Sequence, residues 1–170
     1  MSKINWKFYP ANNQPPDFIV ELVKVFAENH DKIASTKFDH DSNTVLHYIS
    51  QSLIDIGFLV EKGKKKDDKI CIPVLFGLNG KIEKKFDADA YNESKKIVLE
   101  VEAGRGVLNN QFLKDYFQAC MMLNVEYFAV AVRNNYKNRD DFSEVIRFFD
   151  SLYASGRIIT KLKGVLIIGY

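Results

Sequence analysis

The sequence has no hydrophobic run near the roughly 20 residues that a membrane-spanning helix needs. Apolar stretches such as Ile70 to Phe76, interrupted by Pro73, Tyr127 to Val132 and Val165 to Ile168 are far shorter, and no cleavable signal is visible at Met1. Cysteine is scarce. Cys71 and Cys120 both sit in apolar stretches and read as small buried hydrophobes, which suggests a reduced, cytoplasmic protein. An excess of one charge is missing too: 24 Lys and Arg against 22 Asp and Glu leave +2, which excludes a polycation built to coat nucleic acid. His30, His40, His47 and the two cysteines show no zinc spacing. The chain has no Gly-x-Gly-x-x-Gly, P-loop or Gly-x-Ser-x-Gly, which argues against nucleotide cofactors and serine hydrolases. What is present, 170 residues of which 46% are hydrophobic and 27% charged, suits one domain over residues 1 to 170 with one good-sized core.

Three of the four prolines fall within residues 1 to 16 with Asn12, Asn13 and Gln14, which predicts an irregular N-terminal arm. Phe18, Leu22, Val25 and Phe26 then mark a helix face. A second helix is capped by Asp41 or Ser42 and carries Val45, Leu46, Ile49 and Leu53 at helical spacing up to a break near Gly57. Lys62 to Lys66 read as a solvated loop. Asn79-Gly80 joins strands over residues 69 to 77 and 81 to 91 as a hairpin. A third strand over residues 95 to 102 completes a meander. Phe112, Tyr116 and Cys120 mark a third helix, residues 126 to 133 a buried strand, residues 140 to 154 a fourth helix with Phe142, Phe149 and Tyr153 on one face, and residues 164 to 170 a last strand. The expected fold is α/β, in the order α-α-β-β-β-α-β-α-β, with one mixed sheet flanked by helices.

The informative stretch runs from Phe86-Asp87-Ala88-Asp89 to Leu99-Glu100-Val101-Glu102. Strand side chains alternate, so Ile97, Leu99 and Val101 share one face while Val98, Glu100 and Glu102 share the other. If Tyr91 pairs with Lys96, Asp87 lies opposite Glu100 at about 5 Å with Asp89 diagonal at about 7 to 8 Å. A turn longer by two residues puts Asp89 opposite instead. In either register three or four carboxylates converge, and they need either raised pKa values or a cation. Oxygen-only donors favour Mg²⁺, with Mn²⁺ as substitute. Such an ion suits phosphodiester hydrolysis.

Asp89, ten residues, then Glu100-Val101-Glu102 on adjacent strands between two helices resembles the PD-(D/E)xK nuclease superfamily, which includes many restriction endonucleases. The resemblance covers roughly residues 42 to 133 and implies a restriction-endonuclease-like fold. It also implies a Mg²⁺-dependent DNA endonuclease in which Asp89 and Glu100 hold the metal. No Pro precedes the Asp, and Glu102 stands where Lys is most usual, as in a minority of restriction-type enzymes. Glu102 then serves as general base or as a further ligand. For a type II restriction enzyme the resemblance also implies a homodimer and 5′-phosphate, 3′-hydroxyl products.

Asp87 is a third metal candidate, with a solvated hairpin position as its alternative. Arg105, after Gly104 at the mouth of a helix, suits a phosphate or a salt bridge with Glu102. Gln51 and His47 on the second helix, and Lys114 and Gln118 on the third, are candidates to face the site. Of these, Lys114 and Gln51 join Arg105 as expected DNA contacts. Basic residues gather at 62 to 69, at Lys81, Lys84 and Lys85, at Arg133, Lys137 and Arg139, and at Arg157, Lys161 and Lys163, as loops around a nuclease cleft would require. Phe148, Phe149 and Tyr153 serve either the core or a dimer interface. Two readings stand beside the enzyme. One is an inactive DNA-binding or interaction module on the same fold in a defence or repair system; the other is a structural partner whose acidic patch binds metal for stability.

Overall fold

The computed structural model describes residues 4–63, 65, 68–104 and 106–170. Its eight strands and four helices follow in the order β1 (Asn5–Tyr9), α1 (Asp17–Ile33), α2 (Ser42–Asp55), β2 (Leu59–Val60), β3 (Ile70–Phe76), β4 (Ile82–Ala88), β5 (Ala90–Asn92), β6 (Ile97–Val101), α3 (Gln111–Met121), β7 (Tyr127–Val132), α4 (Asp141–Ser155) and β8 (Gly164–Gly169). The main sheet has the strand order β1-β8-β7-β6-β5-β2. β6, β7 and β8 run parallel, while β1, β5 and β2 pair antiparallel to their neighbours. The mixed α/β fold expected from the sequence is the one observed.

Alternation along the strands sorts the core into two layers. Ile97, Leu99, Val101, Ala129, Ala131, Leu166 and Ile168 pack with Leu22, Phe26, Ile49 and Leu53 of α1 and α2. Val98, Phe128, Val130, Val165 and Ile167 face the other way, onto Phe112 and Tyr116 of α3 and Val145 and Phe149 of α4. Each layer fills with side chains at the spacing of its own element, period two in strands and 3.6 in helices. Glu100 and Glu102, in step with Val98, therefore point toward α3.

Three expectations are corrected. Residues 1 to 16 are not irregular throughout: Asn5–Tyr9 pair with Val165–Gly169 as an edge strand, with Phe8 and Tyr9 buried. The two-residue strand β2 was not anticipated, being too short to show any periodicity. The strand expected over residues 81 to 91 is two strands. β4 pairs only with β3 as a separate two-stranded ribbon, β5 belongs to the main sheet, and Asp89 sits at the break between them. The ribbon's turn, Leu78–Gly80, places both Asn79 and Gly80 at positive φ, the geometry that this residue pair tolerates best. Asp41 is the residue that caps α2, its carboxylate accepting from the Thr44 amide at 2.8 Å. Phe149 belongs to the core, Phe148 is partly exposed, and Tyr153 stacks on Tyr9.

Candidate active site

β5 and β6 fix the acids. Ala90 pairs with Leu99 and Tyr91 with Val98, which sets Asp89, one residue before β5, against Glu100. Asn92 holds this longer turn: its side-chain oxygen accepts from Ser94 Oγ at 2.9 Å and the Lys95 amide at 3.0 Å, and its Nδ2 donates to the Ile56 carbonyl at 3.0 Å. Asp89 is held from two sides. Its Oδ2 accepts from the Val101 amide at 2.8 Å, and its carbonyl accepts from the Glu61 amide at 2.8 Å. Glu102, one residue past β6, is anchored through its backbone: its amide donates to Ala131 O at 2.8 Å and its carbonyl accepts from Tyr170 Oη at 3.0 Å. Its carboxylate lies against Gly106, where a Cβ would collide with it.

Two acids not singled out from the sequence complete the group. Asp115 of α3 is only 7% exposed. Its Oδ1 lies 3.4 Å from Gln111 Nε2 and 4.0 Å from Lys114 Nζ, its Oδ2 is buried, and its carboxyl meets that of Glu102. Glu61, just after β2, is paired with Lys69 at 2.7 Å. Together with Asp87, Asp89, Glu100, Glu102, Lys85, Lys114 and Gln118 they line a cleft of about 370 Å³.

Six carboxyl groups facing three lysines across one cleft cannot all ionise freely. Poor access to water, helped by the Glu61 and Asp115 charges, pushes Asp89 up to about 6 even though the Val101 amide favours its charged form. Glu100, half-buried at the floor, is held well above the usual carboxylate range by desolvation first and then by Asp89, Asp115 and Glu102. Desolvation and then the contact with Asp115 likewise raise Glu102, and desolvation raises Asp115.

No family model matches the sequence, and no curated protein matches it either. Among solved structures, the fold is similar to the crystal structure of free BglII, with a TM-score of 0.53 and 11% identity over 99% of this chain and 79% of that one. It is similar also to the restriction endonuclease BglII complexed with a DNA 16-mer, with a TM-score of 0.55 and 15% identity over 99% and 78%. The fold is restriction-endonuclease-like. In this restriction-endonuclease-like fold the acidic cleft lies where the β4–β5 break meets the C-terminal end of β6.

The expected site residues are distributed unevenly around that cleft. Asp89, Glu100 and Glu102 come together at its floor, and Lys114 and Gln118 lie on its α3 wall. Asp87 does not lie opposite Glu100. It pairs with Cys71 in the ribbon and is exposed at the cleft's edge, its Oδ1 accepting from the Cys71 thiol at 3.2 Å. Gln51 is turned away, exposed and bonded to Asp55 at 2.9 Å, because half a helical turn separates it from the stripe that α2 buries. His47 faces a neighbouring pocket with Glu61 instead. Arg105, Lys64 and Lys66 lie outside the described residues. Of the basic clusters, Lys69 and Lys85 reach the cleft. Arg133 is buried and bound to Asp39, Arg139 to Glu144 and Lys163 to Glu126, so these serve the scaffold.

The donor set suits a hard divalent ion. It is all oxygen, and Asp89 has one carboxylate oxygen not used by Val101. Among the described residues no three His, Cys, Asp or Glu side chains form a closed metal cage. An ion held here would rely on few protein carboxylates and would need water or phosphate oxygens as well, a common arrangement for Mg²⁺. No helix among the described residues is long and apolar enough to cross a membrane.

Proposed function

We propose that the protein is a Mg²⁺-dependent DNA endonuclease, with Mn²⁺ able to substitute, acting as restriction enzymes do and as a homodimer in the cytoplasm. The observation that carries this reading is the pairing of Asp89 with Glu100 at the floor of an open cleft where both carboxyls hold protons unusually tightly. Two carboxyls that resist ionising together in this way do so readily beside a cation. Asp89 and Glu100 would hold the ion, with Asp87 at the cleft's edge as a third candidate. A bound Mg²⁺ supplies polarisation of the phosphate and a lowered pKa for water. Glu102, whose carboxyl lies against Gly106, would serve as base toward the attacking water once its own proton is lost beside a bound cation, or would add an oxygen ligand. Lys114 on α3, and Arg105 beyond β6, neutralise phosphates beside the scissile one.

A cleavage assay tests the proposal. Supercoiled plasmid incubated with wild-type protein is expected to be cut with Mg²⁺ or Mn²⁺ and left intact in EDTA, and both Asp89→Ala and Glu100→Ala are expected to abolish cutting. Full cutting by either variant would sink the assignment. A second reading, an inactive DNA-binding module, is favoured by the high proton affinity of Glu102 and by the lack of a three-residue metal cage among the described residues. It predicts DNA binding in EDTA with no cleavage under any metal.

A further inference from the structure

The nuclease reading leaves one ion pair of the cleft unused. Glu61 and Lys69 stand at the ends of the connection between β2 and the ribbon, and both line the cleft. The Glu61 side chain is only 7% exposed, and its backbone amide is tied to the carbonyl of Asp89 at 2.8 Å, so its position is locked to that of the acid at the floor. Lys69 reaches it at 2.7 Å and is itself 26% exposed. The contrast with Lys114 is informative. That side chain is 58% exposed and its ammonium comes no nearer than 4.0 Å to Asp115. An ammonium has three N–H donors, and Glu61 Oε1 accepts one of Lys69's, leaving two for a ligand in the cleft. Carboxyl groups outnumber lysines two to one here, so an incoming phosphodiester meets repulsion unless a fixed cation offsets it.

We propose that Lys69 contacts a phosphate oxygen of the nucleic acid in the cleft and that Glu61 is its positioning residue; this rests on the nuclease reading for the identity of the ligand. The pair is preorganised: Glu61 fixes the ammonium beside Asp89 before substrate arrives, so charge developing on the phosphate meets a donor that need not be reoriented. Lys69 remains protonated throughout, since its bond to Glu61 raises its pKa further.

The alternative is that Lys69 only neutralises a buried glutamate, and a set of variants separates the two. Lys69→Met is expected to lower the cleavage rate about 100-fold, the usual effect of deleting one preorganised donor, and Lys69→Arg to recover much of it. The double variant Lys69→Met/Glu61→Gln removes the unpaired carboxylate and should restore the thermal midpoint while leaving cleavage low. Recovery of cleavage in the double variant overturns the proposal, because a scaffold role alone would then explain Lys69. A second measurement does not depend on catalysis. In EDTA, the salt dependence of duplex DNA binding is compared between Glu61→Gln and the double variant. Loss of one phosphate contact reduces the slope of log K against log salt by about 0.9, and identical slopes overturn the proposal. If wild type binds DNA without cutting it, the nuclease reading fails while this slope still decides the role of Lys69. If it does not bind DNA at all, both fail.

Discussion

β6 and β7 are parallel neighbours in the middle of one sheet, paired residue for residue from Ile97–Tyr127 to Val101–Ala131, yet they are used in opposite ways. β7 is apolar from end to end, and Phe128, Ala129, Val130, Ala131 and Val132 are completely inaccessible. β6 begins in the same manner with Ile97, Val98 and Leu99 and then places Glu100 beside Val130. The difference lies in what covers the face. Val130 meets the aromatic layer of α3 and α4, whereas Glu100 and Glu102 meet the N-terminal half of α3, where Asp115 and Gln111 replace apolar side chains and a cleft opens. One strand therefore contributes stability and its neighbour gives some up for a charged site, as is common where function competes with packing.

That contrast can be broken at several points. The largest effect is expected on the acid side, where Asp89→Ala or Glu100→Ala should lower metal-dependent plasmid cleavage by about a thousandfold or more, equivalent to several kcal/mol of transition-state stabilisation. On the apolar side, Phe128→Ala should cost about 3–5 kcal/mol in urea unfolding and leave Mg²⁺ affinity unchanged; loss of metal binding at equal stability would show that the strands do not divide their roles in this way. Next comes pH. Asp89 holds its proton more tightly in the folded protein, at about 6 against an ordinary 3.8, so its contribution to metal-free stability is complete below about 3.8 and is lost as pH rises through 6. Each tenfold gain in proton affinity is worth roughly 1.4 kcal/mol, so after a discount for solvent screening at the open mouth ionising Asp89 costs the metal-free fold about 2 kcal/mol. Glu100 and Glu102 act in the same direction. The metal-free thermal midpoint should therefore fall between pH 4 and 7 and recover with Mg²⁺, and a midpoint that rises over that range would contradict the strained-acid account. Glu100→Gln should flatten the fall. Smallest of all, Gln51→Ala should alter cleavage less than about twofold and stability by under about 0.5 kcal/mol, as expected for an exposed helix position outside the cleft.

Much of the site was legible because strand alternation is a local rule. Placing Val98, Glu100 and Glu102 on one face requires no knowledge of neighbours, and Asn79-Gly80 identifies the ribbon turn from two residues. The register of the β5–β6 turn was legible only as two options. The structure adopts the longer turn because Asn92 can satisfy the Ser94 hydroxyl, the Lys95 amide and the Ile56 carbonyl together. Asp115 did leave a signal, as a charged residue within the buried helical stripe of Phe112, Tyr116 and Ala119. Glu61 left none, because a two-residue strand has no period to read and its partner Lys69 lies in a run that resembles solvated loop.

The sequence by itself determined the α/β class, the two-layered core and the concentration of acid on one hairpin, since all three follow from periodicity and from like charges on one strand face. Only the tertiary structure decided that Asp89 and not Asp87 meets Glu100, that α3 adds Asp115, and that Glu61 fixes Lys69 beside them. Those outcomes depend on where a strand breaks and which helix end covers it, and such choices are settled by packing and hydrogen bonding between segments far apart in the chain.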